Sequence, residues 1–110
     1  MKEGNVIKEL YKVIKDRKNN EVSGSYTNYL FKEGLDKILK KLGEENTEVI
    51  IAGKNDDSLE IINEVCDYIY HMLVFLAEKD ISIEDIEDVL KERRKKISNK
   101  KKERREIQNY

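Results

Sequence analysis

The chain has 110 residues, no proline, one cysteine and one histidine; 41% of its residues are charged, and the formal net charge is −1. This length favours one domain, the lone Cys66 rules out an intrachain disulfide or a cysteine-rich zinc site, and a single His71 argues against a Ser-His-Asp or Cys-His nucleophile. No apolar run approaches the ~20 residues of a membrane span and the N-terminus lacks an apolar signal core, so a soluble cytoplasmic protein without a membrane partner is expected.

Lys, Glu, Ile and Leu dominate, which favours helix over sheet. The mean hydropathy of −0.77 fits one thin core, or a core completed by a second subunit. The first helix is expected over residues 3–18, where Val6, Ile7, Leu10, Tyr11 and Ile14 recur at the spacing of one buried face. "NNEVSGS" at 19–25 breaks it with turn formers, and Ser25 or Thr27 caps the next helix.

A second helical region is expected over 27–54, with an apolar stripe through Leu30, Phe31, Leu35, Ile38, Leu39, Leu42, Val49 and Ile50. Gly34 and Gly43 interrupt it, each costing roughly 1 kcal/mol against alanine inside a helix. Gly34 marks a candidate kink.

"KNDDS" at 54–58 is a turn, and Asp57 or Ser58 caps a third helix over about 58–80. The second half of that helix is apolar nearly all round, which implies burial on several sides, at a bundle centre or a subunit interface. Cys66 lies in an apolar stretch and is expected to be a small buried hydrophobe.

Ser82 followed by Asp85 resembles a capping box, ahead of a fourth helix over about 83–96 with Ile83, Ile86, Val89 and Leu90 in step. Residues 91–110 carry a net charge of +7 and residues 1–90 one of −8. The sequence therefore divides into an all-α domain over 1–94 and a basic, solvated tail over 95–110. No strand pattern, repeat or Gly-rich phosphate loop is present.

The carboxylates are the chemistry-bearing feature. Glu44, Glu45 and Glu48 stand at helical spacings of three and four, and Glu64 and Asp67 repeat the spacing of three on the next helix. The short turn makes these helices an antiparallel pair. Counted outward from residue 56, Glu48 and Glu64 lie eight residues away on either side, and Glu45 and Asp67 eleven. Each pair then reaches one height along the hairpin. Two like charges ~4 Å apart repel by roughly 4 kcal/mol at an effective dielectric near ~20. A divalent cation reverses the sign. Oxygen-only ligands suit Mg²⁺, with Mn²⁺ as the alternative. Such an ion polarises phosphoryl oxygens and lowers the pKa of water, which suits hydrolysis or transfer at a polyphosphate. The competing reading is a solvated acidic helix face, common in a chain with 23 acidic residues. His71, four residues after Asp67, reads first as a satisfied core histidine, with support of a metal ligand or a hydrogen bond to substrate as the other readings.

Glu44-Glu45-x-x-Glu48 followed by Glu64-x-x-Asp67 resembles the magnesium signature of the all-α, MazG-like nucleoside triphosphate pyrophosphatases. More narrowly, "GSYTNYLFKEGLDKILKKLGEENTEVIIAGKN" and "NEVCDYIYHMLVFLAEKDIS", in that order, resemble the phosphoribosyl-ATP pyrophosphatases of histidine biosynthesis over about 24–94. The resemblance implies a four-to-five-helix MazG-like bundle whose core is completed by homodimerisation. It implies Mg-dependent hydrolysis of phosphoribosyl-ATP to phosphoribosyl-AMP and pyrophosphate, the second step of the pathway. Glu45, Glu48, Glu64 and Asp67 would hold the metal. Glu44, Glu45 and Glu48 would make up the catalytic set, with Glu44 holding a second ion or orienting the attacking water. Lys41 and Lys54 would contact phosphates, and Tyr26, Thr27 and His71 would meet the substrate. The cyclohydrolase domain often fused in front in this family is not expected here. The basic extension is expected as a free tail, or as a contact to another pathway enzyme, with no nucleic acid. Two alternatives stand beside this reading: a house-cleaning hydrolase of free (d)NTPs in the same superfamily, and a non-enzymatic helical module binding nucleic acid through the tail. The latter predicts binding that falls steeply with salt.

Overall fold

The computed structural model describes residues 4–98. Five helices make up the described chain: α1 (Val6–Asn19), α2 (Tyr26–Glu33), α3 (Leu35–Asn55), α4 (Ser58–Glu78) and α5 (Ile83–Ser98). No strand occurs among the described residues, and no helix there is long and apolar enough to cross a membrane. The architecture is an all-α bundle.

Side-chain caps set the helix starts. Asn5 Oδ1 accepts from the backbone N–H groups of Ile7 and Lys8 at 3.0 and 3.1 Å, opening α1. Ser25 Oγ accepts from Asn28 N at 3.1 Å, and Asp57 Oδ1 from Leu59 N and Glu60 N at 3.0 and 3.2 Å. Ser82 Oγ accepts from Asp85 N at 3.0 Å. Each satisfies an amide that the helix itself leaves without a partner.

The helix expected over 27–54 is two helices. Gly34 has φ +96° and ψ −177°, a backbone region that a side chain would strain. Its N–H donates to Leu30 O at 3.0 Å and closes α2, while its carbonyl accepts from Ile38 N at 3.1 Å and opens α3. One glycine thus re-aims the chain without a connecting loop.

The α3–α4 hairpin is the most extensive packing in the molecule, and α1 and α2 close over α4. Ile14, Leu30, Ile38 and Val74 form the fully buried centre. Burying each is worth about 1.5–3 kcal/mol. The apolar second half of α4 supplies Leu73, Val74, Leu76 and Ala77 to this core. At its end, α1 ties down the turn to α5. Tyr11 Oη donates to Ile81 O at 2.5 Å. Lys18 Nζ donates to the carbonyls of Ala77 and Glu78 at 2.9 and 3.3 Å, capping α4 from outside.

Several apolar positions expected to be buried are not. Val6 is 71% exposed and Ile50 58%, and only Ile83 of the α5 set is buried. Cys66 is exposed, contrary to its expected burial, because it falls on the outward face of α4 one residue before Asp67. The expected boundary at 94/95 lies within α5, which continues to Ser98; residues 99–110 of the expected tail, and 1–3 of the expected domain, lie outside the described residues.

Candidate functional site

The hairpin brings carboxylates from both of its arms together. One oxygen each from Glu45 on α3 and Glu64 and Asp67 on α4 lie within 4.8 Å of one another. Asp56, left-handed at φ 57°, and the Asp57 cap make the turn tight enough to hold the two arms antiparallel. Glu45 and Glu64 are half-buried and Asp67 is exposed. Loss of solvent, then the negative charges of Glu48, Asp67, Glu45 and Glu60, push the Glu64 carboxyl above its usual range. Glu48 is exposed and stands outside that close group, yet its charge is the strongest that Glu64 feels. Glu44 is also outside it, paired with Lys41 at 3.2 Å.

Lys41 bridges to the cluster, its Nζ 3.9 Å from Glu45. The hydrogen bond to Glu44 chiefly raises its pKa, helped by Tyr26 and Glu45. Lys54 lies exposed in the last turn of α3, nine residues beyond Glu45. That is about 14 Å along the helix axis, so the structure does not bring it to the carboxylates.

The start of α2 packs beside this group. Tyr26 Oη and His71 Nε2 are 3.1 Å apart, and His71 Nδ1 is 2.8 Å from the carbonyl of Asp67. A carbonyl only accepts, so Nδ1–H donates to it and Nε2 accepts from the Tyr26 hydroxyl. His71, 6% exposed, is therefore both a satisfied core histidine and a strut from α4 to α2. Thr27 Oγ1 hydrogen-bonds the Tyr70 hydroxyl. Burial raises the Tyr26 hydroxyl pKa against the opposing pull of Lys41, with Glu45 adding to the rise. The Tyr26 hydroxyl therefore feels the charges of both Lys41 and Glu45.

Sequence reasoning missed the aromatic surface that continues from Tyr26. The rings of Tyr26 and Tyr29 stack at 5.9 Å and those of Tyr26 and Tyr70 at 6.2 Å. Tyr70 also meets His71 edge-on at 4.9 Å. The Lys37 ammonium lies 5.7 Å from the Tyr29 ring centre. The spacing of three between Tyr26 and Tyr29, and of four between Lys37 and Lys41, was the available signal.

Three carboxylate oxygens within reach of one another, with only Lys41 beside one of them, fit a hard divalent cation such as Mg²⁺. Beside them, a lysine and an exposed stack of tyrosines fit a phosphorylated aromatic ligand.

Comparison with known proteins converges on one family. The family described as "Phosphoribosyl-ATP pyrophosphohydrolase" matches residues 7–94. A phosphoribosyl-ATP pyrophosphatase of Clostridium acetobutylicum is 60% identical over 109 residues, covering 99% of each chain. Another, from Clostridium novyi, is 61% identical over 104 residues, covering 94% of each. The histidine biosynthesis bifunctional protein HisIE of Caldanaerobacter subterraneus subsp. tengcongensis is 58% identical over 91 residues, 83% of this chain and 44% of that protein.

Proposed function

The chain belongs to the phosphoribosyl-ATP pyrophosphohydrolase family, and we propose that it hydrolyses phosphoribosyl-ATP to phosphoribosyl-AMP and pyrophosphate with Mg²⁺, the second step of histidine biosynthesis. The observation that carries this is the convergence of Glu45, Glu64 and Asp67 within 4.8 Å across the α3–α4 hairpin. Cleavage between the α- and β-phosphates needs charge neutralisation, in-line positioning and a water nucleophile, and no covalent side chain.

Glu45, Glu64 and Asp67 hold the ion, with Glu48 completing the set from its exposed position one turn along α3. When bound, the ion would supply charge neutralisation at the phosphoryl oxygens. Lys41, already 3.9 Å from Glu45, turns from Glu44 to a phosphate oxygen. Glu44, released from Lys41, orients water or accepts its proton in this reading. The Tyr26–His71 strut fixes the start of α2 over this group, so that the nucleotide meets a preset wall. A homodimer is part of the proposal. Leu59 and Ile62 on α4, with Ile50 and Ile51 on α3, are 47–68% exposed and suit a second copy. We place the protein in the cytoplasm, where its proposed substrate would be made.

The test is turnover with Mg²⁺ of phosphoribosyl-ATP against dATP and dUTP. Strong preference for phosphoribosyl-ATP, abolished by EDTA, is the expected result. Equal or better hydrolysis of the free nucleotides would replace this reading with a house-cleaning hydrolase.

A further inference from the structure

Lys37 and Tyr29 take no part in the proposed hydrolysis, yet they continue the geometry of its site. Lys37, Lys41 and Glu45 stand four residues apart along α3, so they line one face. Eight residues separate Lys37 from Glu45, a rise of about 12 Å. The neighbouring helix α2 packs against α3 and carries Tyr26, which feels the charges of Lys41 and Glu45, and Tyr29, whose ring lies under the Lys37 ammonium. Both tyrosines are 43% exposed and stacked on each other. The Lys37 ammonium is therefore a second cationic point, beyond the aromatic pair and away from the carboxylates.

We propose that Lys37, held over the Tyr29 ring, binds the 5-phosphate of the ribose attached to adenine N1, and so distinguishes phosphoribosyl-ATP from ATP. This rests on the proposed hydrolysis of phosphoribosyl-ATP. The substrate is anionic at both ends, with a purine between. Lys41 and the carboxylates that would hold the ion form the end of the site suited to the triphosphate. The half-exposed Tyr26–Tyr29 pair lies between these two ends and offers aromatic surface to the flat base, and contact with an aromatic ring suits any purine. Lysine binds phosphate as a point charge, and the distal phosphate then meets Lys37. A hydrogen bond with the Tyr29 hydroxyl raises the pKa of this ammonium, with Glu33 and Glu44 adding to the effect. The aromatic contact limits where the long side chain goes, which lowers the entropy lost on binding.

The experiment measures binding of phosphoribosyl-AMP and AMP to the full chain with Mg²⁺, by titration calorimetry. Neither ligand has β- or γ-phosphates, so the ratio isolates the distal group. We expect the wild type to prefer phosphoribosyl-AMP by about tenfold or more. Lys37→Met removes most of that preference and leaves AMP affinity within about twofold, and Lys37→Arg restores it. Turnover shows the same split: KM for phosphoribosyl-ATP rises by about tenfold while kcat changes by less than about threefold. Lys91→Met, an exposed charge change on α5, leaves the ratio unaltered. An unchanged ratio in Lys37→Met overturns the inference, as does equal weakening of both ligands, which would place Lys37 elsewhere in the nucleotide site. A wild type that fails to hydrolyse phosphoribosyl-ATP would sink the parent reading, and this one with it. A wild type that does hydrolyse it, with no effect at Lys37, sinks only this one.

Discussion

The hydrogen bond from Tyr26 to His71 joins residues 45 apart in sequence and ties α2 to α4 beside the carboxylates. A double-mutant cycle isolates it. Tyr26→Phe keeps the ring and its stacking and removes only the hydroxyl, so it should cost about 0.5–1.5 kcal/mol, the net worth of one such bond. His71→Phe loses this bond and the one from Nδ1 to Asp67 O, at 2.8 Å, and should cost about 1–3 kcal/mol. The Asp67 carbonyl keeps its bond to the backbone N–H four residues on, so no buried acceptor is orphaned. In the double variant the shared bond is counted once. The single costs should then exceed the double cost by about 0.5–1.5 kcal/mol. Urea unfolding followed by helical circular dichroism, at one protein concentration, reads these values. Each kcal/mol corresponds to a shift in melting temperature of about 4–8 °C for a domain of this size. Additivity to within about 0.3 kcal/mol would refute the bond and, with it, the strut that positions α2.

Three further outcomes are expected from the same geometry. Glu64→Gln should stabilise the metal-free protein, since it removes one of three crowded charges; it should also shrink the thermal stabilisation by Mg²⁺ and cut turnover by at least about 100-fold with helicity intact, and the Mg²⁺ affinity of the wild type should fall on acidification as protons compete for the raised Glu64 carboxyl. Glu48→Gln should abolish turnover with helical content preserved; full activity would remove Glu48 from the metal shell. Asp80 has its pKa lowered by hydrogen bonds from Lys15 and Lys18. Its contribution to stability is present above the unfolded value of about 3.9 and is lost as pH falls through the lower folded value, so the melting temperature of Asp80→Asn should fall less steeply with pH below about 4 than that of the wild type.

The helices and most of their caps were legible because the signals are local. Ser25, Asp57 and Ser82 stand before the apolar patterns of α2, α4 and α5, whereas the Asn5 cap of α1 was not read and that helix was expected from residue 3; the short turn at 54–58 required an antiparallel pair. The counts outward from residue 56 placed Glu45 level with Asp67 because rise per residue is nearly constant in any α-helix. Packing decided what those counts leave open. Periodicity gives each side chain an angle on its own helix, whereas the rotation of one helix against another is set by the whole core. That rotation draws Glu45, Glu64 and Asp67 together, leaves Glu48 exposed and turns Cys66 outward. Gly34 likewise read as a kink, and only the packing of Leu30 and Ile38 on α4 makes it the junction of two helices. Local spacing puts Tyr26 with Tyr29 and Lys37 with Lys41 on their own helices, but the Tyr26–His71 bond and the Tyr29–Lys37 contact form only where α2 meets its neighbours. Sequence determined which chemistry was available on each helix; the tertiary structure decided which groups meet, because contacts between helices depend on the packing of every side chain between them.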